Sequence, residues 1–205
     1  MKKQRRSFAD GYIYANRAKI LINICFVVLG VVFGCAVFMY APDKQSLFKK
    51  ISNSFDMINT NDLKNIFINA VWENVLICAV FYICSLFYIG TYISYAYVFV
   101  RAAACGFASC VIINSYAFCG ICILAFAMMP YTALYMTAVI IFCVETVKQS
   151  RYISSCVDKS LKKRSVFTYF AATIIPLVLL AAGSLVEGFA APHIILWCIK
   201  KFWKF

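Results

Sequence analysis

Cysteine and histidine are the side chains here that most readily do chemistry, and the chain has eleven cysteines and one histidine. Cys119 and Cys122 form a C-x-x-C, the spacing of a redox pair or of half a zinc site. Zinc takes four ligands, and no second pair and no histidine stands near this one. Redox C-x-x-C motifs sit beside a βαβ unit, whereas this pair lies in an apolar turn. Cys25, Cys35, Cys78, Cys84, Cys105, Cys110 and Cys143 fall inside apolar runs, where cysteine acts as a small hydrophobe. We expect no structural disulfide network and no bound zinc. His193 has no nucleophile elbow of the form G-x-S-x-G to serve, and no HExxH and no phosphate-binding loop occurs. The expectation is a chain that is not an enzyme, with no metal and no cofactor.

The remaining chemistry lies in ionisable groups that border or enter apolar stretches: Glu73, Arg101, Glu145 and Glu187. A charge in lipid is expensive, so such a group faces a bundle interior, water, a partner or the interface. Arg101 and Glu145 are read as interfacial. Glu187 ends a stretch rich in small residues, AAGSLVEGFAAP, in which Ala181, Ala182, Gly183, Ser184 and Gly188 admit close helix contact. Its carboxylate is placed to bond another helix or a backbone turn. A second small-residue stretch, AAACGFAS at 102–109, offers a similar seam.

The elements that must position these groups are membrane spans. From Ala102 to Val144 the chain runs 43 residues without Asp, Glu, Lys or Arg. About 20 apolar residues suffice to cross a bilayer core of about 30 Å. Further charge-free runs cover Ile20–Tyr40, Asn74–Val100 and Ser165–Val186. The apolar fraction is 64% and the charged fraction 14%, which leaves no room for a soluble catalytic domain in 205 residues. We expect one all-α, polytopic membrane domain over 1–205, with about five spans near 20–40, 69–93, 102–121, 123–146 and 166–187. Arg101 marks the short inner turn between the second and third. Pro130 falls in the fourth span, where a proline removes a helix hydrogen bond. It marks either a kinked span or a broken, re-entrant segment.

The net charge of +12 raises the question of nucleic acid, but the cations lie in blocks beside the spans. There they serve as topological anchors and contact anionic lipid, so membrane lipid is the expected partner and nucleic acid is not. Residues 1–19 and 148–164 carry six basic residues each, which sets the N-terminus and the loop 148–164 in the cytoplasm. The apolar residues of SLFKKISNSFDMI, within the outer loop 41–65, suit a short amphipathic helix on the membrane surface. The tail 188–205 reads as an interfacial amphipathic helix, or as a re-entrant segment returning its lysines to the cytoplasm.

The order of these features resembles the stage II sporulation protein M family. The resemblance lies in the basic N-terminus before VLGVVFGCAV, in FINAVWENVLICAVFYICSLFYIG, and in RAAACGFASCVI, which begins with Arg101. It continues in MMPYTALY with Pro130 and in VEGFAAPHI with Glu187 and Pro192. Cys105 stands near where that family often has glycine. The resemblance implies a non-catalytic scaffold that anchors a peptidoglycan-degrading complex in the mother-cell membrane during engulfment. Its implied partners are stage II sporulation proteins D and P, which carry the hydrolytic chemistry. A permease-like transporter subunit that docks a cytosolic ATPase is the alternative. The sequence leaves the oligomeric state open, a homo-oligomer included.

Overall fold

The computed structural model describes residues 8–41, 63–155 and 159–202, all but a few of them helical. The amphipathic segment expected within 41–65 lies outside the described residues. The helices are α1 (Phe8–Tyr40), α2 (Leu63–Ser85), α3 (Gly90–Ile123), α4 (Met129–Ser155), α5 (Lys159–Ala172), α6 (Ile174–Leu185) and α7 (Ala191–Phe202). Two single π-turns, Leu124–Met128 and Val186–Ala190, join α3 to α4 and α6 to α7. Helix is what the charge-free runs dictate, because in lipid each backbone N–H and C=O must be satisfied within its own segment. Four helical runs among the described residues are long and apolar enough to cross a membrane. The longest, Gly90–Ser155, doubles back on itself. Ala117 has φ 45° and ψ −119°, and beyond it the backbone of Gly120 packs against that of Ile112.

Helices α1 and α3 run parallel. Their ring contacts advance together, from Phe26–Tyr95 at 5.6 Å through Phe33–Phe99 at 5.6 Å to Phe38–Phe107 at 5.9 Å. Gly30 and Gly34, spaced as G-x-x-x-G, admit this approach. A Cβ on Gly30 would lie 2.8 Å from the Ala102 Cβ, and one on Gly34 would overlap the Ala103 carbonyl. The seam expected at 102–109 is thus, through Ala102, Ala103, Gly106 and Phe107, the α3 half of an intramolecular contact.

Helices α2 and α4 are parallel, and the chain from α5 to α7 runs against them. The contacts step outward from Thr146–Tyr169 at 2.9 Å, through Tyr135–Glu187 at 2.6 Å, to Cys119 Sγ–Cys198 O at 3.8 Å. This series corrects the expected interfacial tail. Helix α7 continues the last pass and buries Ala191, Ile195 and Cys198 against Ile112, Cys119, Ile123 and Ala127. Phe81, Phe142, Tyr169 and Leu180 form a second, inner apolar core.

The turn between the second and third passes also differs from expectation. It lies at residues 86–89, not at Arg101, so the second pass ends before 93 and the third begins before 102. Leu86 N–H and Phe87 N–H bond back to Ile83 O and Cys84 O, and the Ser150 hydroxyl donates to Phe87 O. Gly90 is needed here because a Cβ would overlap the Cys84 carbonyl. The turn residues Leu-Phe-Tyr-Ile carry no charge and no ordinary turn chemistry, so Arg101 was the conspicuous marker and the wrong one.

Candidate functional site: a charged layer inside the bundle

Arg101 is the twelfth residue of α3 and sits level with Gly30, the midpoint of the charge-free run Ile20–Tyr40. Gly90, at the inner turn, is eleven residues away, about 16 Å of helix. Arg101 therefore lies deep in the bilayer and not at its edge, a correction to the interfacial reading. Its guanidinium stands 3.9 Å from Glu73 Oε2 on α2 and 5.9 Å from the centre of the Tyr135 ring on α4.

Around this cation the helices converge on a polar layer between the two apolar cores. The Tyr135 hydroxyl donates to Glu187 Oε2 at 2.6 Å. It accepts from Asn74 Nδ2 at 3.2 Å, and the same amide donates to Ser184 Oγ at 2.7 Å. Asn74, Ser184 and Tyr135 are buried, and the Tyr135 ring lies against Gly183. Every buried polar group in this chain of contacts has a partner, which low dielectric demands. Glu73 is the exception in position. Its side chain is 65% exposed although it sits at Arg101's depth.

A cavity of about 330 Å³ opens beside this layer, bordered by Glu73, Arg101, Ser109, Thr132, Tyr135 and Glu187. Both π-turns reach it, the first through Leu124 and Met128 and the second through Glu187. Each π-turn closes with an i to i−5 bond, Met129 N–H to Leu124 O and Ala191 N–H to Val186 O. Each is followed two residues later by a proline, Pro130 or Pro192, which has no N–H to continue the regular ladder. Pro130 thus opens α4 after a local widening of the helix, with no break in the pass. Pro176 gives a milder irregularity at Thr173, between α5 and α6.

Glu145 also departs from the interfacial reading. It is buried between α1 and α4 near the inner ends, where its Oε1 accepts from the Tyr12 hydroxyl and from Lys148 Nζ, each at 2.6 Å. Burial, and then the Glu145 carboxylate, push the Tyr12 hydroxyl well above its usual range, so it stays protonated and donates.

Cys119 is buried against α7, and Cys122 is half-buried beside it. His193 is exposed on α7. The described residues hold no group of three or more His, Cys, Asp or Glu arranged for a metal. No local sequence pattern announces the pairing of Glu73 with Arg101. Both fall in long apolar surroundings, but only helix register brings them together.

The sequence model of the family described as Stage II sporulation protein M matches residues 23–192. The chain belongs to that family. The matched stretch takes in Glu73, Arg101, Pro130 and Glu187 and ends at Pro192. Membership in the stage II sporulation protein M family makes this a multi-pass membrane protein related to sporulation. No curated protein and no solved structure gives a match.

Proposed function

We propose that the chain is a non-catalytic membrane scaffold that anchors a peptidoglycan-degrading complex during endospore engulfment. It acts in the mother-cell membrane at the septum and holds stage II sporulation proteins D and P, which supply the hydrolytic chemistry. Family membership over 23–192 carries this reading. Glu73 supports it from the structure. A carboxylate this exposed at bilayer depth is costly, and a neighbouring membrane helix is one way to relieve that cost. The test is affinity recovery of the chain from detergent extracts of sporulating cells. Recovery of the two hydrolases is expected. Their consistent absence, with a cytosolic ATPase recovered instead, would overturn the scaffold.

A second reading, a permease-like subunit docking that ATPase through the basic region 148–164, draws on the cavity beside Arg101. Irregular helix turns around ionisable groups within a membrane are one way transporters build binding sites.

A further inference from the structure

The cavity beside Arg101 holds more hydrogen-bonding capacity than its own walls use. A guanidinium carries five N–H donors. Arg101 makes no hydrogen bond among the described residues, and Glu73 Oε2, at 3.9 Å, is beyond hydrogen-bond range. Glu187 accepts from Tyr135 through Oε2 alone, so its other oxygen has no donor among the described residues. Both groups are part-buried at the cavity wall, so this free capacity is open to a polar guest.

Formal charge narrows the guest. The cavity has one guanidinium against two carboxylates, Glu73 and Glu187. A simple anion would satisfy Arg101 but add negative charge to a site already in excess. A simple cation would meet the carboxylates but leave the guanidinium donors unused. A molecule with both charges meets both walls and leaves the net charge unchanged. The volume, about 330 Å³, sits at the small end of ligand cavities, which run from about 300 to 1,000 Å³. Thr132 and Ser109 add hydroxyls at the wall, and Met128 and Met136 add adaptable apolar surface.

We propose that this cavity binds a small zwitterion of the amino-acid type, its carboxylate on Arg101 and its ammonium against Glu187 and Glu73. The site goes beyond the scaffold reading and does not depend on it, since a scaffold can carry a ligand that sets its conformation.

Isothermal titration of the purified full chain in detergent tests this, with glycine, alanine and serine as zwitterions and acetate and methylammonium as single-charge controls. At least one zwitterion is expected to bind saturably, with a Kd of about 1 mM or tighter, and the controls are not. Arg101→Gln should weaken that binding at least about tenfold, because a charge-assisted contact is lost. Ala108→Phe fills the cavity without touching a charge and should abolish binding while the unliganded melting temperature stays near wild type. It decides the matter if Arg101→Gln fails to fold. No heat from any zwitterion at about 10 mM, equal binding of acetate or methylammonium, or wild-type affinity in Ala108→Phe would each overturn the proposal.

Discussion

Tyr135 ties three parts of the bundle through one hydroxyl, because it meets Asn74 on α2 and Glu187 on the second π-turn from its own place on α4. Tyr135→Phe keeps the ring against Gly183 and removes only these bonds. Hydrogen bonds between membrane helices are worth about 0.6 to 2 kcal/mol, so the variant should melt a few degrees lower in detergent. An unchanged melting temperature would show that the hydroxyl contributes nothing net. Glu187→Ala removes the acceptor altogether, whereas Glu187→Gln keeps an oxygen for Tyr135. The alanine variant should recover fewer hydrolase partners at matched expression, and the glutamine variant should be milder. Equal recovery by both at the wild-type level would make Glu187 an internal fastener only. Glu145 is a separate case, because Lys148 and Tyr12 both point at it. Glu145→Leu would strand the Lys148 ammonium near the inner edge and should lower the melting temperature more than Tyr12→Phe does.

Among the elements, the α1–α3 seam is the contact least able to absorb change. Gly34→Leu drives a side chain into the Ala103 carbonyl and must part the helices. Loss of folded protein from detergent extracts is expected, and wild-type yield and melting temperature would show that the two helices do not meet there. Cys119 and Cys122 sit at the opposite extreme. Their joint replacement by alanine trims a packed corner against α7 and should leave partner recovery intact, with a small fall in melting temperature. The helices themselves were legible in the sequence, because charge-free length is enough to specify a membrane helix. Their register was not. The inner turn at 86–89 is built from Leu, Phe, Tyr and Ile and held by Ser150 from another helix, a contact no local pattern announces. The same slip moved Arg101 from a turn to the middle of α3 and hid its pairing with Glu73. Glu187 was legible because small residues surround it, and its partner Tyr135 was not, because it lies 52 residues away. The tail misled for a simple physical reason. Gly188–Ile199 is too short to cross alone, yet it is long enough to extend a pass already begun in α5.

At the scale of the molecule, two apolar cores enclose a polar layer, and that layer sits where lipid offers charges nothing. By the distribution of lysine and arginine, the start of α1, the end of α4 and the start of α5 are expected on the cytoplasmic side. A cysteine placed at the exposed Ser154, in a variant without native cysteines, should be labelled only from inside. Labelling from outside alone would invert the whole arrangement. A scaffold and an enzyme are separated most directly by peptidoglycan release. Purified peptidoglycan is incubated with the chain alone in vesicles, and with the chain reconstituted together with stage II sporulation proteins D and P. Soluble fragments are expected only when the two hydrolases are present. Fragments released by the purified chain alone would contradict the scaffold outright.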